Sequence, residues 1–534
     1  MKTPQQQPAA SAPETANCFQ RLIAHLKNPA LYNHPVESIT LLETHISTVL
    51  LAGDYAYKLK KPYNLGFLDF TTLEARRHYC EEELRLNRRL APDLYLSVVA
   101  ITGSADAPCI GGKGTAIEYA VKMRRFPQES LLSNVLQRGE LRAEQLDRLA
   151  QRIAAFHAAL PAADSSQVYG EPDTLHAATR QNFAQIAPLI SSAADQAQLA
   201  RLAQLSEELF ARTLPLFVQR KQQGYIRECH GDLHLGNMVL IDGEIVPFDC
   251  IEFNDSFRWN DVMGEIAFVV MDLASRGRPD FGFRFLNSYL EQTGDFAGLQ
   301  VLRYYLMFRA VVRAKIAAFL ASEAETAEDK RAAAWQDFHH YLDLAQQFSH
   351  TPAFLLILMH GLSGSGKSTV ARELAAQLPA IHVRSDVERK RLYGFTPLAR
   401  TGAAIYTAEA TQRTYARMAE IARVAQAAGY AVVLDATFLN AQQRAPFLAL
   451  SSNTWIVSCE APEEVLRNRV RARYQAGTDA AEADLAVLER QLATHESLTA
   501  EEQQRTIVIE TQQAFDASAL AEQLQQKALD NLNR

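Results

Sequence analysis

Two clusters of residues have the types and spacing that phosphate chemistry needs. The first is Gly361-Leu-Ser363-Gly364-Ser365-Gly366-Lys367-Ser368-Thr369, directly after the apolar run FLLILM and directly before a helical pattern. Glycines let backbone N–H groups turn inward around an anion, and the start of the following helix adds a favourable dipole. Lys367 would neutralise the β- and γ-phosphates of a nucleotide, and the Ser368 hydroxyl would ligate Mg²⁺. All eight residues named in this stretch are therefore expected nucleotide contacts. A chance glycine-rich loop is the competing reading, and the flanking strand and helix argue against it. Asp435 ends the apolar strand AVVLD, where a carboxylate would hold Mg²⁺ or its water. Asp386, in HVRSDVERKR, would face the crevice at the carboxyl ends of the strands and accept a proton from a substrate hydroxyl. Its alternative is a helix cap for VERKRL. Arg469 and Arg473 lie four apart on one helix face and could clamp a transferring phosphoryl group. Arg467 and Arg471 read equally well as a solvated basic face.

The second cluster is His230-Gly231-Asp232-Leu-His234-Leu-Gly-Asn237, followed by Asp249 in IVPFDC. This HxDxxxxN pattern, then a strand ending in Asp, is what protein-kinase-like phosphotransfer requires. Asp232 would receive the substrate hydroxyl proton, while Asn237 and Asp249 would hold Mg²⁺. His230 is expected to support the loop, and His234 is read as structural. Such a site also needs a strand lysine and a helix glutamate upstream. Lys58 in YAYKLKK and Glu83 in CEEELRLNRRL are the candidates, with Glu82 as the alternative acid. A solvated strand end is the competing reading of Lys60 and Lys61. EYAVKMRRFP would join two lobes, which puts the adenine near Met123.

The elements that must position these groups follow from periodicity. ITLLETH, STVLLAGDY and YAYKLKK predict antiparallel strands, with a tight turn at Gly53-Asp54. A helix is expected from Thr72 to Leu90, then strands over Tyr95 to Thr102 and Ala116 to Arg124. The chain then turns mostly helical. After about 350, FLLILM, AIHV, AVVLD, TWIVSC and RTIVIE alternate with helical segments, as in a parallel α/β sheet. The expected organisation is a loosely ordered tail at 1–30, a kinase-like N-lobe at 31–126, a helical C-lobe at 127–350 and a P-loop domain at 351–534. The fold class is α+β in the first half and α/β in the second. The helix RYYLMFRAVVRAKIAAF carries Arg309 and Arg313 on one face, read as core residues over the alternative of an anion pocket.

Composition excludes other classes. A 534-residue chain is too long for a single core. Its net charge of -7 argues against indiscriminate nucleic-acid binding. The six cysteines are scattered without a CxxC pair, which fits a reducing cytoplasm. The start lacks a signal-peptide core and no apolar run approaches membrane length. A soluble, cytoplasmic protein is expected.

GLSGSGKST, SDVERKR, VVLDATF and the arginine-rich helix resemble the P-loop small-molecule and polynucleotide kinase group over roughly 353–534. That resemblance implies that Asp386 is the base, that lid arginines contact phosphates, and that Arg389 and Arg444 touch substrate. Residues from about 31 to 350 resemble the aminoglycoside phosphotransferase family, with HGDLHLGN as the catalytic loop and Asp261 and Glu265 at two further acidic positions. No clear glycine-rich loop precedes Lys58, only ETHIS. The whole chain resembles bacterial fusions of these two families. The implied activity is ATP- and Mg²⁺-dependent transfer of the γ-phosphate to hydroxyls of small molecules at two sites. The alternative keeps one kinase, acting on a nucleotide, nucleotide sugar or polynucleotide 5′ end, with the first half as an ATP-binding regulator.

Overall fold

The computed structural model describes residues 13–66, 68–164, 166–323, 326–352 and 354–532. By packing they form two compact units. One comprises residues up to Gln145, with Ala155–Gly170 and Arg220–Glu265; the other comprises Leu146–Ala154, Glu171–Gln219 and the chain from Ile266 onward.

The first unit is built on an antiparallel sheet. Its strands are β1 (Ile39–Glu43), β2 (Ser47–Ala52), β3 (Tyr55–Lys60), β4 (Tyr95–Ser104), β5 (Ala107–Ile110) and β6 (Ala116–Arg124), in the order β1-β2-β3-β6-β4-β5. Gly53, at φ +56° in the turn between β2 and β3, sits where a Cβ would meet the Pro35 carbonyl at 2.4 Å. The helix Leu73–Asn87 starts where the Thr72 hydroxyl accepts from the Ala75 N–H, a standard N-cap. Its Cys80, Glu83 and Leu86 are buried. Short strands β7 (Ile226–Glu228), β8 (Met238–Ile241), β9 (Glu244–Pro247) and β10 (Trp259–Asp261) form two hairpin-sized ladders, β8 with β9 and β7 with β10. Residues 1–12 of the expected tail lie outside the described residues. Pro13–Leu26, expected to be loosely ordered, is a helix, because Leu22, Ile23 and Leu26 join a core with Tyr57, Leu59 and Ile101.

The second unit contains a parallel sheet of β11 (Leu356–His360), β12 (Ala380–Arg384), β13 (Ala431–Asp435), β14 (Thr454–Glu460) and β15 (Thr506–Glu510), ordered β12-β13-β11-β14-β15. These strands are apolar runs because parallel sheets bury both faces. Ile357, Met359, Val433 and Val457 pack with the helices Lys367–Gln377 and Ala517–Leu532 in one core. The helices Pro279–Thr293, Leu299–Ser322 and Glu328–Ser349 belong to the same unit. Arg309 stacks over Phe268 and Arg313 donates to the Tyr341 hydroxyl, so both sit in helix packing. Among the described residues no helix is long and apolar enough to cross a membrane.

Candidate active sites

In the first unit, the loop after β7 carries the candidate residues His230 to Asn237. Gly231 has φ +89°, and a Cβ there would meet the Phe257 carbonyl at 2.9 Å, so only glycine fits. The buried Glu265 carboxylate accepts from the backbone N–H groups of His230 (2.6 Å) and Gly231 (3.0 Å), which pins the loop. His230 Nε2 lies 2.9 Å from the Phe248 carbonyl, and burial pushes its imidazole down to about 4, so it stays neutral and structural. Asn237 Nδ2 donates to Asp232 through its carbonyl (3.0 Å) and its carboxylate (2.9 Å). His234 Nε2 lies 3.4 Å from the same carboxylate. Asp232 thus has an oriented carboxylate whose side chain is still 36% exposed.

Asp249 stands at φ +63°, a left-handed conformation costly for a non-glycine residue, and its N–H donates to the Tyr95 hydroxyl at 3.1 Å. Lys58 reaches Asp249 at 2.5 Å and Glu83 at 2.9 Å. Burial opposes the Lys58 charge, but the Asp249, Glu83 and Glu252 carboxylates outweigh it and raise the ammonium well above its ordinary value. Burial likewise works against the Glu83 carboxylate, yet Lys58 and Lys60 hold it down to about 2. Direct contacts therefore form two groups, Lys58 with Glu83 and Asp249, and Asp232 with Asn237, at the two ends of the β8–β9 hairpin, where the Phe248 N–H donates to the Asn237 carbonyl at 2.9 Å. Lys60 is not a solvated strand end. It is fully buried between Glu83 and Glu252, because both lysines of the alternating strand face inward and each needs a carboxylate. Asp261 pairs with Arg220 at 2.7 Å in the interior, away from this set. Met123 is half-buried on β6, opposite Ala56 and Tyr95.

In the second unit the phosphate loop leaves β11. Gly361 (φ +135°) and Gly364 (φ +84°) occupy positions where a Cβ would strike the Cys459 and Leu466 carbonyls at 2.4 and 2.7 Å. Gly366 is the left-handed N-cap of the helix Lys367–Gln377. Lys367 Nζ donates to the Leu362 carbonyl at 2.8 Å, and Thr369 N–H to the Gly366 carbonyl at 3.1 Å. Ser363 N–H donates to Gln491 Oε1 at 2.9 Å, and Ser365 is buried. Burial pulls the Lys367 ammonium below its ordinary value. An incoming polyphosphate would reverse that pull. Asp435, at the end of β13, resists burial: hydrogen bonds from His382 and Ser368 and the nearby Arg384 charge hold its carboxyl well below the usual range. Asp386 shows the opposite balance, its carboxyl raised because burial outweighs Arg384 and Arg389. It sits inside the first turn of the helix Ser385–Leu392, whose N-cap residue is Arg384, so capping is not its role.

The arginines divide by location. Arg469 donates to Thr511 Oγ1 (2.9 Å) and to the Thr511 carbonyl (2.7 Å), while Thr511 Oγ1 donates to the Ser365 carbonyl, so Arg469 ties the phosphate loop to the end of β15. Arg473 Nη2 reaches the Ala483 carbonyl at 3.3 Å, and its buried Nε has no hydrogen-bond partner among the described residues. Arg467 and Arg471 make surface contacts with Glu489 and Asn468, as a solvated face would. Arg389 is buried over the Tyr406 ring, with Nη1 on the Ile405 carbonyl and Thr411.

With this geometry in place, comparisons with known proteins decide the family. Residues 70–305 match the Phosphotransferase enzyme family and residues 356–498 match an AAA domain. An uncharacterized protein of Mycobacterium tuberculosis is 31% identical over 472 residues, covering 86% of this chain and 92% of that protein. A Mycobacterium bovis protein matches with the same values. The chain belongs to this family. It joins a phosphotransferase half to a P-loop AAA half. Among solved structures, it aligns with an amicoumacin kinase in complex with AMP-PNP (15% identity, 62% of this chain, 95% of that one, TM-score 0.39). It also aligns with a sugar kinase from Janibacter sp. (22%, 34% and 95%, TM-score 0.26).

Arg444, expected to touch substrate in the P-loop half, is instead fully buried. It holds Glu502 through two contacts of 2.7 and 3.0 Å and donates to the Phe438 carbonyl. Arg444→Met should cost about 3 kcal/mol in chemical denaturation, the low end for breaking a buried pair, since Glu502 loses its charged partner and keeps the Thr499 N–H. Arg444→Met with Glu502→Leu should recover most of that loss. Residues missed from sequence are Glu252, His382 and Arg384. Glu252 lies three residues after Asp249, and His382 and Arg384 alternate along β12 toward Asp435. That alternation was the available signal.

Proposed function

We propose that the chain is a bifunctional phosphotransferase that moves the γ-phosphate of ATP to hydroxyls of small molecules at two separate sites. The proposed organisation is an N-lobe at 31–126, a helical C-lobe at 127–350 and a P-loop kinase domain at 351–534. The observation that carries the reading is that each half has its own carboxylate, Asp232 or Asp386, its own buried lysine, Lys58 or Lys367, and its own oxygen ligands. In the phosphotransferase half, Asp232 takes the acceptor's proton as its oxygen bonds to the γ-phosphorus and the β–γ bridging bond breaks, releasing ADP. Lys58, oriented by Glu83, meets the phosphates, and the adenine lies near Met123. In the P-loop half, Asp386 is the base, Gly361 to Thr369 cradle the phosphates with Lys367, and Arg473 and Arg469 stabilise the loop and transferred group.

Asn237 and Asp249 in one half, and Ser368 and Asp435 in the other, offer only hard oxygen ligands, the set that Mg²⁺ prefers. The metal would supply charge neutralisation at the β- and γ-oxygens. The intact Lys58–Glu83–Asp249 linkage favours an active phosphotransferase half over a regulatory one, because it holds a buried lysine and glutamate paired with an Asp249 carboxylate that is still 42% exposed and open to a ligand. The test is transfer of γ-labelled phosphate from ATP into a fractionated bacterial metabolite extract, comparing the intact protein with Asp232→Asn and Asp386→Asn. Two labelled products, each lost in a different variant, support two kinases. Loss of all transfer in Asp386→Asn with no change in Asp232→Asn makes the first half a regulator.

A further inference from the structure

Strand β12 is one of the two edges of the parallel sheet, and an edge left open exposes unpaired backbone groups. The helix Pro279–Thr293, from the phosphotransferase half, covers it in a specific way. Asn287 donates through Nδ2 to the Ala380 carbonyl and accepts through Oδ1 from the His382 N–H, both at 2.9 Å. One amide side chain thereby makes the two bonds that a neighbouring strand would make.

Glu291 follows four residues later on the same helix face. Its carboxylate meets Arg384 at 3.1 Å. Arg384 is buried, with a side chain 7% exposed, and it is shared among three carboxylates. Asp479 takes Nη2 at 2.9 and 3.0 Å, Glu291 takes Nη1, and Asp435 lies 3.8 Å from Nε. His382, two residues before Arg384 and on the same strand face, puts Nε2 3.4 Å from Asp435. The helix therefore grips a strand whose two inward side chains both border the carboxylate expected to hold the metal.

We propose that Glu291 is a positioning residue of the P-loop site: by holding Arg384 Nη1, it keeps that cation from closing further onto Asp435, which lies 3.8 Å from its Nε. The physical reason is competition. A buried guanidinium must be paired. Without the Glu291 charge its remaining partners are Asp479 and Asp435, and a cation drawn onto Asp435 opposes a divalent metal there. The proposal rests on the reading of Asp435 as a metal-holding residue. It also makes a helix of the phosphotransferase half a working part of the P-loop site, which gives the fusion a physical use.

The test measures binding of a fluorescent ATP analogue to the full chain as Mg²⁺ is titrated, counting only the signal that Lys367→Ala removes. Glu291→Gln should raise the half-saturating Mg²⁺ concentration about tenfold, the low end for an outer partner of a metal ligand, with metal-free analogue affinity unchanged. Glu291→Asp, which restores the charge, should return it to within about twofold of the parent. The Glu291 side chain is 26% exposed, so Glu291→Gln is expected to fold, and a melting curve on each variant verifies this. A lowered melting temperature in Glu291→Gln with an unchanged Mg²⁺ requirement would mean the residue serves the fold alone, and the inference fails. If Lys367→Ala removes none of the parent's analogue binding, so that all of it belongs to the other half, the P-loop reading itself fails, a distinct result.

Discussion

Asp232→Asn is expected to lower phosphoryl transfer by the phosphotransferase half about 10²- to 10⁴-fold, the range for removing a general base. The substitution keeps the side chain's size, so the contact from Asn237 Nδ2 to the Asp232 main-chain carbonyl survives. What disappears is the group that can accept the hydroxyl proton as the new O–P bond forms. The loop itself should not move, because Glu265 and the Phe248 carbonyl hold it from the other side. ATP affinity should therefore change little, since Lys58 and Asp249 are untouched. Turnover of the labelled product and nucleotide affinity, measured together, give the check. A loss of turnover under tenfold would remove Asp232 from the proton-accepting role.

Asp386→Asn is expected to reduce transfer by the P-loop half to a similar degree while leaving the other product unchanged. The pH dependence adds a second signature. Burial raises the Asp386 carboxyl against the nearby arginine charges, so its protonated form persists above the usual carboxylate range. A protonated carboxyl cannot accept a proton. Activity should accordingly fall as pH drops through that raised value, giving an acid limb above the one an exposed aspartate gives. In Asp386→Asn the residual rate should lose this limb. Rate–pH profiles at saturating ATP and Mg²⁺ decide the matter, and an unaltered limb in the variant would assign it to another group.

How much of this was legible in the sequence depended on whether the information was local. Asp232, Asn237 and Asp249 lie within one short loop and hairpin, so spacing alone carried them. The pairing of Lys58 with Glu83 was legible because a strand lysine and a helix glutamate can be read from two simple periods. Arg444 was misjudged because a basic residue gives no sign of being paired with Glu502, 58 positions later. The competing reading of Lys60 as a solvated strand end fails for a related reason: strand alternation puts it on the face of Lys58, but nothing local shows that Glu252 arrives there to pair with it.

The sequence by itself determined the two phosphate-handling loops, the antiparallel and parallel sheets and the order of the halves, because glycine requirements, capping and apolar periodicity act over a few residues. Apart from the Lys58–Glu83 pair, only the tertiary structure decided which charges meet. Burial of Lys58, Lys60, Arg384 and Arg444 requires partners brought in from distant segments, and the chain places Glu83, Glu252, Glu291 and Glu502 there. Partner choice among buried ions depends on how elements pack, since desolvation makes each cation costly until a specific carboxylate lies beside it.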